Sequence, residues 1–444
     1  MGKKRRRSVS LGSVIMLAVT ALVVAGCLLF LLTIVGDDVY ERTGALIRSL
    51  SEQGLFERAP GQTQEPEAGE TPDEQSADEL QAPEPVAFAA PDAQASALMQ
   101  ECVFTLAAAG TVCAPRALRT AAESGSDYDF NPMLQGVSGL LDGADLALAT
   151  LETVTAGEQT GYGSYNAPAQ LLDALRGAGV SVLSLATEHA LDCGYSGLEL
   201  TQREMNTRSM LSVGADASGA GNGVRMLDIG GMQVAVLAYA YGLSDEGRAQ
   251  TNGDERGALS LIDEEAMVRD IVSARLSGAN VVIVMPHWGT KNRRETPDDV
   301  RALARRLAEA GADVILGAHP DVVQGTERLS VTRSDGLTYD AVACYSLGCL
   351  LTDARAPENT AGMVARLTIR YDPQTRRIAL GELACTPVYV ACQREDGRSV
   401  YRVVDAQDGA ALALLNDSEK EAAALAAQTV REAIGQNARA EGER

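Results

Sequence analysis

The chain has 444 residues, 60 of them acidic against 38 basic, with a formal net charge of −22 at pH 7 and a pI near 4.6. That balance disfavours a nucleic-acid partner, because affinity for duplexes rests on clustered Lys and Arg. It also repels a polyanionic substrate unless a metal ion or a local basic patch intervenes.

Residues 1–10 form a basic start, with Lys3, Lys4, Arg5, Arg6 and Arg7 ahead of an uncharged apolar run. That run, residues 11–35, is 25 residues long. It is long enough to span a bilayer as a helix and exceeds the apolar core of a cleaved signal peptide. Basic residues stay on the cytoplasmic side. The expectation is a single-pass cell-membrane protein with its N-terminus in the cytoplasm and its main domain extracytoplasmic. Val24-Ala25-Gly26-Cys27 has the look of a bacterial lipoprotein processing site, but Leu28, Leu29 and Phe30 carry the apolar run past the cysteine, which favours an uncleaved anchor. Residues 36–100 read as a disordered acidic linker. From 51 to 100, eleven acidic residues face Arg58 alone, with Pro60, Pro66, Pro72, Pro83, Pro85 and Pro91 between them. Such a composition buries too little apolar surface to order itself.

The remaining chain of about 340 residues is long enough for a large core. It divides into a main domain, 101–405, and a helical tail, 406–444. Strands are predicted at 104–109 and 145–149. A unit of helix, Gly-containing break, apolar strand and polar loop then recurs at 169–186, 264–285 and 298–317, with further strands at 232–240 and 341–347. Gly ends helices well because it tolerates positive φ. Continuous Val and Ile runs suit strands buried on both faces, and alternation of helix with strand argues for an α/β fold. After Gly362 the pattern changes to a hairpin, 364–371 and 377–383, around Asp372-Pro373-Gln374. An edge strand at 398–404 follows. An Ala- and Glu-rich helix at 418–434, capped by Asp417 or Ser418, reads as peripheral.

The chain holds three histidines, His189, His287 and His319, each just past an apolar, strand-like run. Imidazole is the commonest transition-metal ligand and the usual acid or base near neutral pH. In open α/β sheets, ligands gather outside the carboxyl ends of the strands. A shared site is therefore predicted; the competing reading is three unrelated loop histidines.

The loops after the strands carry Ala149-Thr150-Leu151-Glu152, Thr187-Glu188-His189-Ala190-Leu191-Asp192, His287-Trp288-Gly289, Gly317-Ala318-His319-Pro320-Asp321 and Tyr345-Ser346-Leu347-Gly348. From about residue 104 to 351 this series resembles the poly-γ-glutamate capsule synthesis protein family (CapA-type), whose domain looks like a calcineurin-type metallophosphatase. The resemblance implies a layered α/β/β/α metallophosphatase-like domain. It implies Glu152, His189, His287 and His319 as metal ligands, supported by Asp192 and Trp288. Departures from the family pattern are Thr111 for Asp, Thr150, Thr187 and Glu188 for Asn, Thr290 for an acidic residue, Ala318 and Asp321 for His, and Cys349 for Asn.

A two-metal hydrolase needs two cations about 4 Å apart, clamped by several carboxylates and imidazoles. Thr111, Thr187 and Ala318 supply none of these, so one divalent ion, Zn or Mn, is expected rather than two. Glu188, Asp321 and His319 are the candidate catalytic groups. Arg293, Arg294 and Trp288 are the candidate substrate contacts, the arginines within the basic run Lys291-Asn292-Arg293-Arg294. Each has a plainer alternative: Glu152 a strand-end ion pair, His189 a loop bond to Asp192, Trp288 packing. Cys349 is a further soft donor if not bonded to Cys344. The near pairs Cys102 with Cys113, Cys344 with Cys349 and Cys385 with Cys392 allow disulfides, of undetermined connectivity.

Two functions follow from the resemblance. One is metal-dependent hydrolysis or transfer in the synthesis or handling of a capsule or cell-surface polymer, acting on an anionic polymer or a phosphorylated substrate beside capsule-synthesis membrane proteins. The other is a catalytically inactive scaffold or binding protein of a cell-envelope complex.

Overall fold

Uncharged runs of Val, Leu and Ala become strands buried on both faces in the computed structural model, which describes residues 101–158, 162–163, 165–219, 224–251 and 257–442. In chain order the strands are β1 Cys102–Val112, a two-residue pair β2 Glu123–Ser124 and β3 Asp127–Tyr128, β4 Leu146–Leu151, β5 Val182–Ser184, β6 Leu211–Val213, β7 Arg225–Ile229, β8 Met232–Ala240, β9 Val281–His287 and β10 Val314–Leu316. Then come β11 Thr326–Thr332, β12 Thr338–Cys344, β13 Cys349–Leu351, β14 Ala361–Asp372, β15 Arg377–Leu380, β16 Ala384–Glu395 and β17 Arg398–Asp405.

Two sheets result. The first runs β17-β16-β14-β1-β4-β5-β6, with β13 beside β1 and β15 beside β14; the second runs β11-β12-β10-β9-β8-β7. Strands β1, β4, β5 and β6 are parallel, as are β8, β9, β10 and β12. Alternation along β8 explains the layering. Val234, Val236 and Ala238 join the core that also holds Leu106 and Leu148 of the first sheet. Ala235, Leu237 and Tyr239 face Met267 and Ile271 of the helix Glu264–Leu276 and Ala304 and Leu307 of the helix Asp298–Ala310. The first sheet is covered in turn by Leu171, Leu172 and Leu175 of the helix Gln170–Gly177. The order of layers is α/β/β/α.

Three expectations change. The terminal helix, Asp417–Gly442, is no peripheral appendage: Ala423, Ala427 and Val430 are buried in the main core, and Glu419 Oε2 accepts from Tyr389 Oη at 2.7 Å and from the Cys392 N–H. A stripe of small residues at helical spacing buries little area per residue, so composition alone reads it as polar. Cys113, Cys344, Cys349, Cys385 and Cys392 are free thiols, so none of the three near pairs is bridged; Cys102 opens β1 and Cys113 follows its far end. Single-pass membrane placement is also corrected. Among the described residues no helix is long and apolar enough to cross a membrane. The basic start, the apolar run at 11–35 and the linker to residue 100 lie outside the described residues, and the placement built on them is withdrawn.

One buried carboxylate fastens the second sheet to its helices. Asp313, fully buried, accepts from the Val282 N–H at 2.8 Å, from Arg275 Nη2 and from Arg333 Nη2 at 2.8 Å. Arg275 also donates to the Gly311 and Asn280 carbonyls. Removing one partner of a buried ion pair leaves charge uncompensated, so Asp313→Ala should cost about 3–5 kcal/mol. Urea denaturation would read this as a lower midpoint, and a loss below about 1 kcal/mol would deny Asp313 its fastening role.

Candidate metal centre

The parallel strands of both sheets end at the same rim. Glu152 follows β4, Glu188 and His189 follow β5, His287 ends β9, and His319 and Asp321 follow β10. Backbone bonds stitch these loops: Ser244 N–H to Glu188 O at 2.8 Å joins the two sheets, and Trp288 N–H to Ala318 O at 3.1 Å joins the β9 and β10 loops. Gly317 permits that last junction, because a Cβ there would stand 2.0 Å from the Tyr345 carbonyl oxygen and 2.5 Å from Trp288 Nε1. His319 and Asp321 hold left-handed backbone, with φ of 94° and 59°. Residues with a Cβ pay about 1–2 kcal/mol each for that conformation, and here it is held at side chains aimed inward.

Glu188 is the hub. Its Oε2 is in hydrogen-bond contact with His287 Nε2. Its Oε1 lies 3.2 Å from His319 Nδ1, 3.1 Å from Lys291 Nζ and 3.8 Å from His189 Nε2. Glu152 Oε1 lies 3.7 Å from His189 Nε2 and 3.3 Å from Lys291 Nζ, and Asp321 Oδ2 is 3.6 Å from the same ammonium. On its outer side His189 Nδ1 bonds Asp192 Oδ2 at 2.7 Å, and Asp192 Oδ1 accepts from the Ser244 hydroxyl. A carboxylate behind an imidazole fixes the ring's orientation and tautomer. Tyr165 stacks on His189, and Tyr241 leans on His319 with ring centroids 4.5 Å apart.

Burial opposes charge on Glu188, yet the imidazoles of His287 and His319 beside it hold its carboxyl well below the ordinary range. Burial, with the charges of Glu188 and Asp321, pushes Glu152 up to about 8 against the lowering pull of Lys291. Burial works against the Lys291 ammonium, but Glu152, Asp321 and Glu188 outweigh it and hold its pKa above the ordinary value. Burial pushes His287 down, which leaves a neutral imidazole suited to ligation.

Two sets of donors have ligand atoms within 4.8 Å of one another: Glu188, His287 and His319, and Glu152, Glu188 and His189. In the first, Nδ1 of His287 is buried with no hydrogen-bond partner among the described residues, while Nδ1 of His319 faces Glu188 Oε1 at 3.2 Å. Buried polar atoms are normally satisfied, so this donor set suits a metal ion. In the second, Lys291 Nζ already supplies positive charge.

The rim thus brings together Glu152, Glu188, His189, His287, His319 and Asp321. Arg293 and Arg294 stand outside the cluster: both are exposed, and Arg294 pairs with Glu432 at 3.4 Å. Trp288 is 2% exposed; its indole N–H donates to the Tyr345 carbonyl at 2.9 Å, within the outer core. Cys349 Sγ meets the Asp321 carbonyl oxygen at 3.5 Å. Sequence reasoning grouped Lys291 with the arginines after it; nothing in that basic run marks its first residue as the one that turns inward. Tyr165, Tyr241 and Ser244 carried no signal either.

A layered α/β/β/α frame with a polyacidic, imidazole-bearing rim defines a candidate metal-site protein. Residues 105–354 match the family model described as bacterial capsule synthesis protein PGA_cap, and the chain belongs to that family. It is similar to the PGA biosynthesis protein CapA of Bacillus subtilis (strain 168), 31% identical over 40% of this chain and 44% of the relative. It is also similar to the capsule biosynthesis protein CapA of Bacillus anthracis, 27% identical over 42% of this chain and 44% of that one. The chain therefore spans less than half the length of each of these relatives. Among solved structures it is similar to the calcineurin-like phosphoesterase YfkN of Bacillus subtilis, at 11% identity, 75% of this chain, 98% of that chain and a TM-score of 0.37. The layered fold is established by the sheet order and not by that likeness.

The raised Glu152 pKa has a stability consequence. Between its ordinary value of 4.5 and about 8, the folded state binds the extra proton. Its contribution is therefore fully present below the lower value and is lost as pH rises through the upper one. In metal-free buffer, Glu152→Gln should match the parent near pH 5 and exceed its stability increasingly toward pH 9. Urea midpoints at several pH values would check this; a difference that does not vary with pH would refute it.

Proposed function

We propose that this chain takes part in handling an anionic capsule polymer of poly-γ-glutamate type, as a single-ion hydrolase or transferase on a metallophosphatase-like frame. The observation that carries this reading is the buried set Glu188, His287 and His319, with ligand atoms within 4.8 Å of one another and Nδ1 of His287 left without a hydrogen-bond partner among the described residues. Membership of a capsule synthesis family, and relatives named for PGA and capsule biosynthesis, point to the polymer. These residues would hold Zn²⁺ or Mn²⁺, and such an ion, when bound, lowers the pKa of a water or polarises a carbonyl or phosphoryl oxygen.

The chain's own groups have the following roles. His189, aimed by Asp192 and Ser244, borders an open cavity of about 750 Å³ that Tyr165, Asn166 and Gln250 also line; it moves a proton at a substrate lying there. Asp321, a carboxylate at the rim of the cluster, takes up the proton of the attacking nucleophile. The exposed Arg293 and Arg294 draw an anionic chain toward the rim.

A second reading, a polymer-binding scaffold, is favoured by the side chains of Thr111 and Thr187, whose buried hydroxyls have no hydrogen-bond partner among the described residues. Neither supplies the charge that tight metal binding needs. Metal analysis of tag-free protein separates the two. The parent should retain one ion per chain after dialysis. His319→Ala and Glu188→Gln should weaken binding well beyond the tenfold or so that loss of an outer partner costs, and both should stop shortening of γ-linked polyglutamate in a size-exclusion assay while melting stays cooperative. A parent that holds no ion, and binds polymer as well as His319→Ala does, selects the scaffold.

A further inference from the structure

Lys291 occupies an unusual place for a lysine. Its Nζ lies 3.1 Å from Glu188, 3.3 Å from Glu152 and 3.6 Å from Asp321. Those three carboxylates arrive from three different loops, and Glu152 and Glu188 are almost wholly buried. An ammonium is a compact point charge, and a carboxylate oxygen from each of three side chains stands within 3.6 Å of it. The turn that carries Lys291 is built to hold it there. Gly289 and Asn292 flank it at φ of 83° and 61°. The Asn292 N–H donates to the Pro320 carbonyl at 2.8 Å, and the Asn292 side chain accepts from Asn359 Nδ2 at 2.7 Å. Beneath the ammonium, Glu152, Glu188 and His189 keep their ligand atoms within 4.8 Å of one another. This is a cation seat with a side chain already in it.

We infer that Lys291 is the second cation of this site, an ammonium fixed by the chain where a two-ion centre would carry its second metal. The inference rests on the reading of the rim as a metal centre and deepens it. Once a divalent ion displaces the Glu152 proton, three carboxylates balance that ion and the ammonium, whereas two ions beside the ammonium would leave an excess of positive charge. The chain thereby gives up a second exchangeable ion and keeps a permanent single charge in its place. Substrate anions meet that charge at the mouth of the site, since the Lys291 side chain is 36% exposed.

The test is a count of Mn²⁺ per chain, by elemental analysis after dialysis against Mn²⁺ and by electron paramagnetic resonance. Lys291→Met and Lys291→Gln, produced in Mn²⁺ because three facing carboxylates repel one another without the ammonium, should each hold one more ion than the parent. A pair of ions sharing Glu188 should replace the isolated-ion spectrum with a coupled, broadened one. Lys291→Arg, which keeps the charge, should hold the parent's number. A parent with two ions, a count that fails to rise in both Lys291→Met and Lys291→Gln, or a rise in Lys291→Arg would each overturn the inference. The measure is the increment, so it is separate from the proposed function: a parent with no ion defeats the function, and an increment of zero defeats the role of Lys291.

Discussion

The buried carboxylate of Glu188 is the constraint from which the rest of the site follows. An ion taken out of water costs several kcal/mol even after relaxation, and only close, well-placed partners offset it. Glu188 meets that demand with His287, His319, Lys291 and His189 at once. His287 comes from a strand 99 residues further along the chain and from the other sheet. The loop after β5 is therefore held to the loops after β9 and β10 by electrostatics as well as by the backbone bond from Ser244. Any rearrangement of one loop exposes a charge that the others were placed to satisfy.

The fold makes that meeting possible. Parallel strands in both sheets point their carboxyl ends at one rim, and ligand sites in open α/β sheets gather there. Alternating faces on β8 and its neighbours let the two sheets share one core while helices cover the far sides. The rim is stiffened by close approaches that only small side chains allow, as at Gly317. It also holds His319 and Asp321 in backbone conformations their side chains disfavour. Such strain persists where surrounding structure over-determines it, and it clusters at functional sites.

Electrostatics also divides the cluster into two halves of different character. On the His287 and His319 side, two buried imidazoles meet Glu188, and Nδ1 of His287 is left without a hydrogen-bond partner among the described residues. On the Glu152 side, a lysine supplies the positive charge, while burial and neighbouring anions keep the Glu152 proton in place to about pH 8. Glu188 belongs to both halves, so what fills one half alters the charge felt by the other. Outside the cluster, Asp192 and Ser244 hold His189 at the border of the open cavity. That leaves the cluster buried on the His287 and His319 side and open at His189.

Much of this was legible before any coordinates. Period-two and continuous apolar runs located β8, β9 and the helix Glu264–Leu276, because local burial patterns follow directly from strand and helix geometry. Scarcity did the same for the site: three histidines at strand ends, with Glu188 beside His189 and Glu152 at the end of a fourth strand, marked the rim, since the topology of an α/β sheet assigns that position in advance. Three other features had no local signature. The helix Asp417–Gly442 packs through alanines, whose small area reveals nothing until a facing sheet is present. Trp288 went into the core instead of to a ligand, because the room beside Gly317 takes its ring. Lys291 turned inward while Arg293 and Arg294, two and three residues on, stayed in solvent. The sequence determined which strand ends would bear acids and imidazoles. Only the tertiary structure decided which neighbouring charge would be enclosed among them, because that choice depends on distances between loops far apart in the chain.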